Sequence, residues 1–151
     1  MRPMLLLTRT IHFNAAHRLH RADRSEEWNH ATYGEAANEA GYGHNYALEV
    51  GVEGRPDAET AMIVNLSDLD RVLKEEIDRP LDHRNLNREV EAFQNVVPTA
   101  ENLGGWIWRR IEARLERDRW PCRLAFVRLT VTPTFSVELL APAAASLQGE
   151  T

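Results

Sequence analysis

Apolar and polar side chains alternate over residues 4 to 14, with Leu5, Leu7, Ile11 and Phe13 on one side and Thr8, Thr10, His12 and Asn14 on the other. A period of two is that of a β-strand with one buried face. The period returns at about 43 to 53, where Tyr46, Leu48, Val50 and Val52 alternate with Ala47, Glu49, Gly51 and Glu53. Gly54-Arg55-Pro56-Asp57 then supplies turn chemistry, and Met62-Ile63-Val64 could close a hairpin as a short strand. Between the two long strands, residues 18 to 41 are rich in charge, Asn and Gly and lack a period. They are expected to form a long loop with at most a short helical turn, and such loops tend to carry function.

From Ser67 the period lengthens. Leu69, Val72, Leu73 and Ile77 recur at helical spacing after a Ser cap, which predicts an amphipathic helix of about three turns ending at Pro80. Thr99 opens a second helix, with Leu103, Trp106, Ile107, Ile111 and Leu115 on one face and Pro121 marking its end. Residues 123 to 132 and 135 to 141 return to period two around Thr132-Pro133-Thr134. Residues 142 to 151 read as a loose tail.

The order strand, strand, helix, helix, strand, strand predicts an α+β fold, a four-stranded antiparallel sheet with two helices on one face. Such a layer leaves a face and its edges uncovered, which points to a symmetric homo-oligomer. At 151 residues and 17.3 kDa the chain is the length of one domain, taken as 1–151. A net charge of -5, with 18 Lys and Arg spread against 23 Asp and Glu, argues against a nucleic-acid-binding role. Cys122 is the sole cysteine, so neither a disulfide framework nor a Cys-based zinc cluster can form, and a reducing cytoplasm fits. The apolar run at Met1 to Leu7 is too short for a signal sequence or a membrane span. A cytoplasmic protein acting on a small molecule, without membrane contact, is expected.

Three words carry the candidate chemistry: Phe13-Asn14-Ala15-Ala16-His17, Gly41-Tyr42-Gly43-His44-Asn45-Tyr46 and Pro80-Leu81-Asp82-His83-Arg84-Asn85-Leu86. His17 and His44 sit near facing ends of two strands, and neutral imidazoles bind zinc, yet a catalytic zinc takes three protein ligands plus water. Tyr42 stands where a third would be wanted; His12, His20 and His30 are the other nearby imidazoles. In Asp82-His83 a carboxylate can orient an imidazole and raise its basicity, giving a general base near neutral pH, although turn chemistry after Pro80 would use the same residues. Glu101 lies in the first turn after the Thr99 cap, where the helix dipole favours its anion; it is either a good N-terminal helix residue or a carboxylate aimed at a substrate N–H edge. Of the tryptophans, only Trp28 is a candidate for lining a pocket.

Together these words resemble the 6-pyruvoyl-tetrahydropterin synthase family, which includes the 6-carboxytetrahydropterin synthases. The resemblance spans Phe13 to His20, Tyr33 to Tyr46, Asn65 to Leu69, Pro80 to Leu86, Val96 to Asn102 and the closing strand pair. It implies the tunnelling fold (T-fold), in which trimers close a barrel, two trimers stack into a hexamer, and active sites lie between subunits. It also implies a zinc ion held by three histidines, of which His17 and His44 match the first and third while Tyr42 replaces the second. The family's reactive cysteine falls at Ala36. Asp82 and His83 match the catalytic pair, Glu101 with Thr99 matches the pterin-side motif, and a further pterin-gripping glutamate is replaced around Val131 to Thr134.

Three functions are open on this reading. The preferred one is a diverged lyase or cyclase in which Asp82, His83 and Tyr42 are catalytic and Glu101, Thr99 and Trp28 bind the substrate. Its chemistry would be acid–base carbonyl or imine work without zinc: tautomerisation, dehydration, aldol-type cleavage or a Pictet-Spengler type ring closure. The second is a genuine zinc-dependent 6-pyruvoyl- or 6-carboxy-tetrahydropterin synthase with an altered metal shell. The third is a non-catalytic ligand-binding or assembly subunit.

Overall fold

The computed structural model describes residues 3–143. Strand β1 (Leu6–His17) pairs along its whole length with β2 (Tyr42–Gly54), antiparallel, from Leu6 opposite Glu53 to His17 opposite Tyr42. β2 pairs in turn with β4 (Cys122–Thr132), and β4 with β5 (Phe135–Leu140), both antiparallel. A fifth strand that the periodicity does not announce, β3 (Arg84–Asn85), runs parallel to Ala15 and Ala16 on the free edge of β1. The sheet order is therefore β3-β1-β2-β4-β5, five strands where four are predicted.

One face of this sheet is the apolar one read from the sequence. Phe13, Ala15, Tyr46, Leu48, Val50, Val52, Val127 and Leu129 are all buried on it. Helix α5 (Ala100–Arg117) covers that face with Leu103, Ile107, Ile111 and Leu115, at the spacing of one helical stripe. Its start is fixed by Thr99, whose hydroxyl accepts the Asn102 N–H at 3.1 Å. Because α5 and β4 are joined by a short turn, the N-terminus of α5 lies toward the end of the sheet that holds the β4–β5 turn and the start of β2.

The other helical segment departs from its prediction at both ends. Helix α2 (Leu66–Leu73) is capped by Asn65, whose Oδ1 accepts the Ser67 N–H at 2.9 Å, rather than by Ser67 itself. At the far end Pro80 does not stop the helix: a π-helical turn (Lys74–Asp78) leads into α3 (Arg79–Leu81). A proline lacks the N–H that would bond the carbonyl four residues back. That carbonyl, Glu76 O, instead accepts from Arg110 Nε of α5 at 3.0 Å, so the helix passes through Pro80 with its backbone satisfied. Ile77 and Leu81 stay in the core as a result. After β3 the chain makes a short turn, α4 (Leu86–Glu89), that buries Leu86.

Residues 18 to 41 are also more ordered than predicted. They hold helix α1 (Glu26–Tyr33), capped by Ser25, and a 3-10 turn (Gly34–Ala37). The centre of this segment is polar, which is why periodicity missed it. Asn29, fully buried, accepts from Arg21 N and donates to the carbonyls of Arg21 and Ser25. Met62-Ile63-Val64 forms no strand: Asp57 caps a tight loop, its N–H bonding Met62 O, and Ile63 and Val64 enter the core without a ladder partner. Of the predicted tail, residues 144–151 lie outside the described residues. Among the described residues no helix is long and apolar enough to cross a membrane.

Two consequences are measurable. Ile107 is fully buried between α5 and the sheet, so Ile107→Ala should cost about 2–5 kcal/mol in chemical denaturation without changing the m-value. His17, 4 % exposed, has its pKa lowered from 6.5 to about 4, chiefly by burial and then by the neighbouring His44. The unfolded chain therefore takes up this proton first as pH falls. Native stability should drop as pH falls from about 6.5 to about 4, with a slope of at most about 1.4 kcal/mol for each step of one in pH, and be indifferent to this group above 6.5. Denaturation midpoints measured across that window should show a shallower slope in His17→Gln than in the parent chain.

Candidate active site

The β1–β2 register gathers His17, Tyr42, His44 and Tyr46 on one face at one end of the sheet. His17 lies opposite Tyr42, Ala15 opposite His44 and Phe13 opposite Tyr46. The His17 ring is 4.8 Å from that of Tyr42 and 5.6 Å from that of His44, and Tyr42 meets His44 edge-on at 5.2 Å. Beneath them Tyr46 stacks on Phe13 at 4.9 Å and brings its hydroxyl to 3.3 Å from His17 Nδ1. Burial sets the charge state of all four groups: it lowers the pKa of both imidazoles and raises that of both phenols. The cluster is neutral at physiological pH.

Asp82 and His83 are placed by the same strand from its other side. Where α3 ends, His83 N donates to Asn14 O at 2.6 Å, while Asn14 N donates to Asp82 Oδ1 at 2.8 Å. The second carboxylate oxygen, Oδ2, meets His83 Nδ1 at 2.7 Å, so the adjacent residues do touch. The Asn14 N–H, followed by His83, holds the Asp82 carboxyl below the usual range, so it is an anion facing the imidazole. His83 takes a left-handed backbone, φ 59°, and its side chain is 82 % exposed. A carboxylate-oriented imidazole with a free Nε2 is the arrangement of a general base.

The remaining sequence candidates are less closely gathered. Glu101 is exposed in the first turn of α5, toward the same end of the sheet as the aromatic cluster. Thr99 uses its hydroxyl as an acceptor on the helix cap. Trp28 sits on α1, edge-on to Tyr33 at 5.9 Å, with the Arg24 guanidinium 5.4 Å from its ring centre. Ala36 lies in the 3-10 turn with its carbonyl accepting from Leu19 N, and a methyl group offers no acid, base or nucleophile. Cys122 cannot stand in for it, because it pairs with Gly54 at the opposite end of β2 from Tyr42. Two residues of the site escaped the sequence reading. Tyr46 reads as core although it shares a strand face with His44, a spacing that could have flagged it; Asn14 acts through its backbone and carries no signal.

The zinc that the resemblance implies is not matched by these residues. Only two imidazoles converge, the third position holds a phenol that burial keeps protonated, and no group of three His, Cys, Asp or Glu able to hold a metal occurs among the described residues.

Comparison with known proteins fits the architecture. A family model described as 6-pyruvoyl tetrahydropterin synthase matches residues 6–141. The 6-pyruvoyl tetrahydrobiopterin synthase of Poecilia reticulata is 47% identical over 102 residues, 68% of this chain and 69% of that protein. The dihydroneopterin monophosphate aldolase of Pyrococcus furiosus is 33% identical over 127 residues, 84% of this chain and 90% of that one. The solved 6-pyruvoyl tetrahydropterin synthase of Caenorhabditis elegans superposes with a TM-score of 0.83 at 30% identity, covering 93% of this chain and 97% of that one. On a family match that runs from β1 past the end of β5, the chain belongs to the 6-pyruvoyl tetrahydropterin synthase family, a family of lyases.

Proposed function

We propose that this lyase works by proton transfer on a small reduced-pterin-like substrate, with His83 as the proton carrier, Asp82 as its orienting carboxylate and Glu101 binding a ring N–H edge. The observation that carries the reading is a contrast within one site. The Asp82–His83 pair is fully assembled at 2.7 Å, whereas Tyr42 and Ala36 stand where the family pattern has an imidazole and a thiol. A base that takes the side-chain hydroxyl proton lets that O–H pair form the aldehyde C=O while the C–C pair moves into the adjacent ring C=N, whose nitrogen receives the proton. A base that takes the carbon proton instead gives the enamine tautomer, from which the hydroxyl leaves as water when the same proton is returned to it. Such proton transfer is worth about 10²- to 10⁴-fold in rate. A relative named for an aldolase activity supports cleavage of this type on the same scaffold. Thr99 and Trp28 belong to the binding half of the proposal. Self-association into a trimer or hexamer is part of it too, supported by Leu6, Phe135 and Leu140 standing exposed on the strands.

A second reading, a zinc-dependent synthase with an altered shell, draws support from the 5.6 Å approach of the His17 and His44 rings. One experiment separates the two. The purified chain is incubated with dihydroneopterin mono- and triphosphate, with and without a strong chelator, and products are read by mass. Loss of a two-carbon aldehyde or of water that persists under chelation, and falls about 10²- to 10⁴-fold in His83→Ala, is expected. Turnover abolished by the chelator and restored by one equivalent of zinc would establish the second reading instead, and His83→Ala with full activity would remove the proton carrier.

A further inference from the structure

Tyr46 is buried to 2 % exposure, and the single hydrogen-bond partner of its hydroxyl among the described residues is His17 Nδ1, 3.3 Å away. A phenol has one hydrogen to place. If Nδ1 carried a hydrogen and donated it to the phenol oxygen, the phenolic hydrogen would be left in the core with no acceptor, an arrangement native interiors avoid. The hydroxyl therefore donates and Nδ1 accepts. His17 then carries its hydrogen on Nε2. This is the reverse of a metal-bound histidine, which gives one nitrogen's lone pair to the metal and donates the other nitrogen's hydrogen to its surroundings.

Beside His17 stands a second donor. Tyr42 lies directly across the ladder on the same face, its ring 4.8 Å away and tilted by 54°, and its hydroxyl has no partner among the described residues. At 36 % exposure its ring borders solvent, so an incoming molecule can reach it. His44 closes the third side, 5.2 Å from Tyr42 and 5.6 Å from His17.

We infer that Tyr42 O–H and His17 Nε2–H form a two-donor pocket for a ligand oxygen, a carbonyl, hydroxyl or developing alkoxide, at the place where the family pattern puts a Lewis acid. Tyr46 is the positioning residue that fixes the tautomer of His17. Two hydrogen donors on adjacent rings would stabilise the negative charge that gathers on a ligand oxygen as a proton leaves elsewhere on the ligand, and the neutral, largely buried surroundings would strengthen them. The pocket rests on the proton-transfer reading above, for which it supplies the electrophilic half.

The first test needs no substrate. In protein labelled with 15N at histidine, NMR should find His17 with hydrogen on Nε2 and a bare Nδ1, and Tyr46→Phe should release that preference toward the other tautomer. The parent chain titrated with cobalt(II) should develop no tetrahedral absorption. In the dihydroneopterin phosphate assay, Tyr42→Phe should lower kcat by about 10²-fold with KM within a few-fold, still insensitive to chelator. A bare Nε2 on His17, or Tyr42→Phe with unchanged kcat while His83→Ala remains dead, would overturn the pocket and leave the acid–base reading standing. Stoichiometric tetrahedral cobalt would overturn both.

Discussion

One antiparallel ladder decides where everything in this molecule goes. The twelve residue pairs between β1 and β2 lock because Leu48, Val50 and Val52 must face the helices. Side chains alternate strictly along a strand, so a slip of one residue would turn that whole set to the open face. The same lock carries the site. His44 and Tyr42 continue the parity of Val50 and Leu48 past the end of the apolar run, and His17 continues that of Phe13 and Ala15. The aromatic cluster is thus the polar end of the hydrophobic face, and it is placed by the packing of residues that take no part in it.

The Asp82–His83 pair depends on the same strand by a different route. Its position follows from a helix that does not stop at its proline, since the π turn and the Arg110 contact to Glu76 O carry the chain on to Asp82. There the backbone of Asn14 is gripped on both sides, by the Asp82 carboxylate and the His83 N–H. A left-handed backbone at a residue with a Cβ is unfavourable, and His83 adopts it where its own N–H bonds Asn14 O and the adjacent Asp82 carboxylate accepts from Asn14 N.

How far the sequence foretold this depends on which force places each residue. The long strands, α5 and the stripe from Leu103 to Leu115 were legible because burial writes a period into them. His17, His44 and Asp82-His83 could be singled out as candidates because they stand in short recognisable words, and the fold brings the members of each pair together. Segments ordered by hydrogen bonds were not legible: α1 is organised by the satisfied amide of Asn29, and β3 has only two residues to show a pattern. Pro80 misled for the same reason. Whether a proline ends a helix depends on what else can bond the carbonyl it abandons, and here that partner, Arg110, belongs to a different helix much further along the chain.

Replacing an imidazole by a phenol at position 42 changes more than one donor. A metal site asks its histidines to present lone pairs, and a hydrogen-bonding site asks them to present hydrogens; the choice is made by whatever touches the far nitrogen. For His17 that partner is Tyr46, buried too deeply to turn its hydroxyl to water. Burial also keeps the cluster uncharged, so it neither competes with the Asp82 anion for His83 nor repels an approaching cation or heterocycle. On the proposed reading, acid–base chemistry sits at the exposed edge beside Asn14 and oxygen recognition at the end of the sheet beside His17, two environments that a single strand keeps distinct over the four residues from Asn14 to His17.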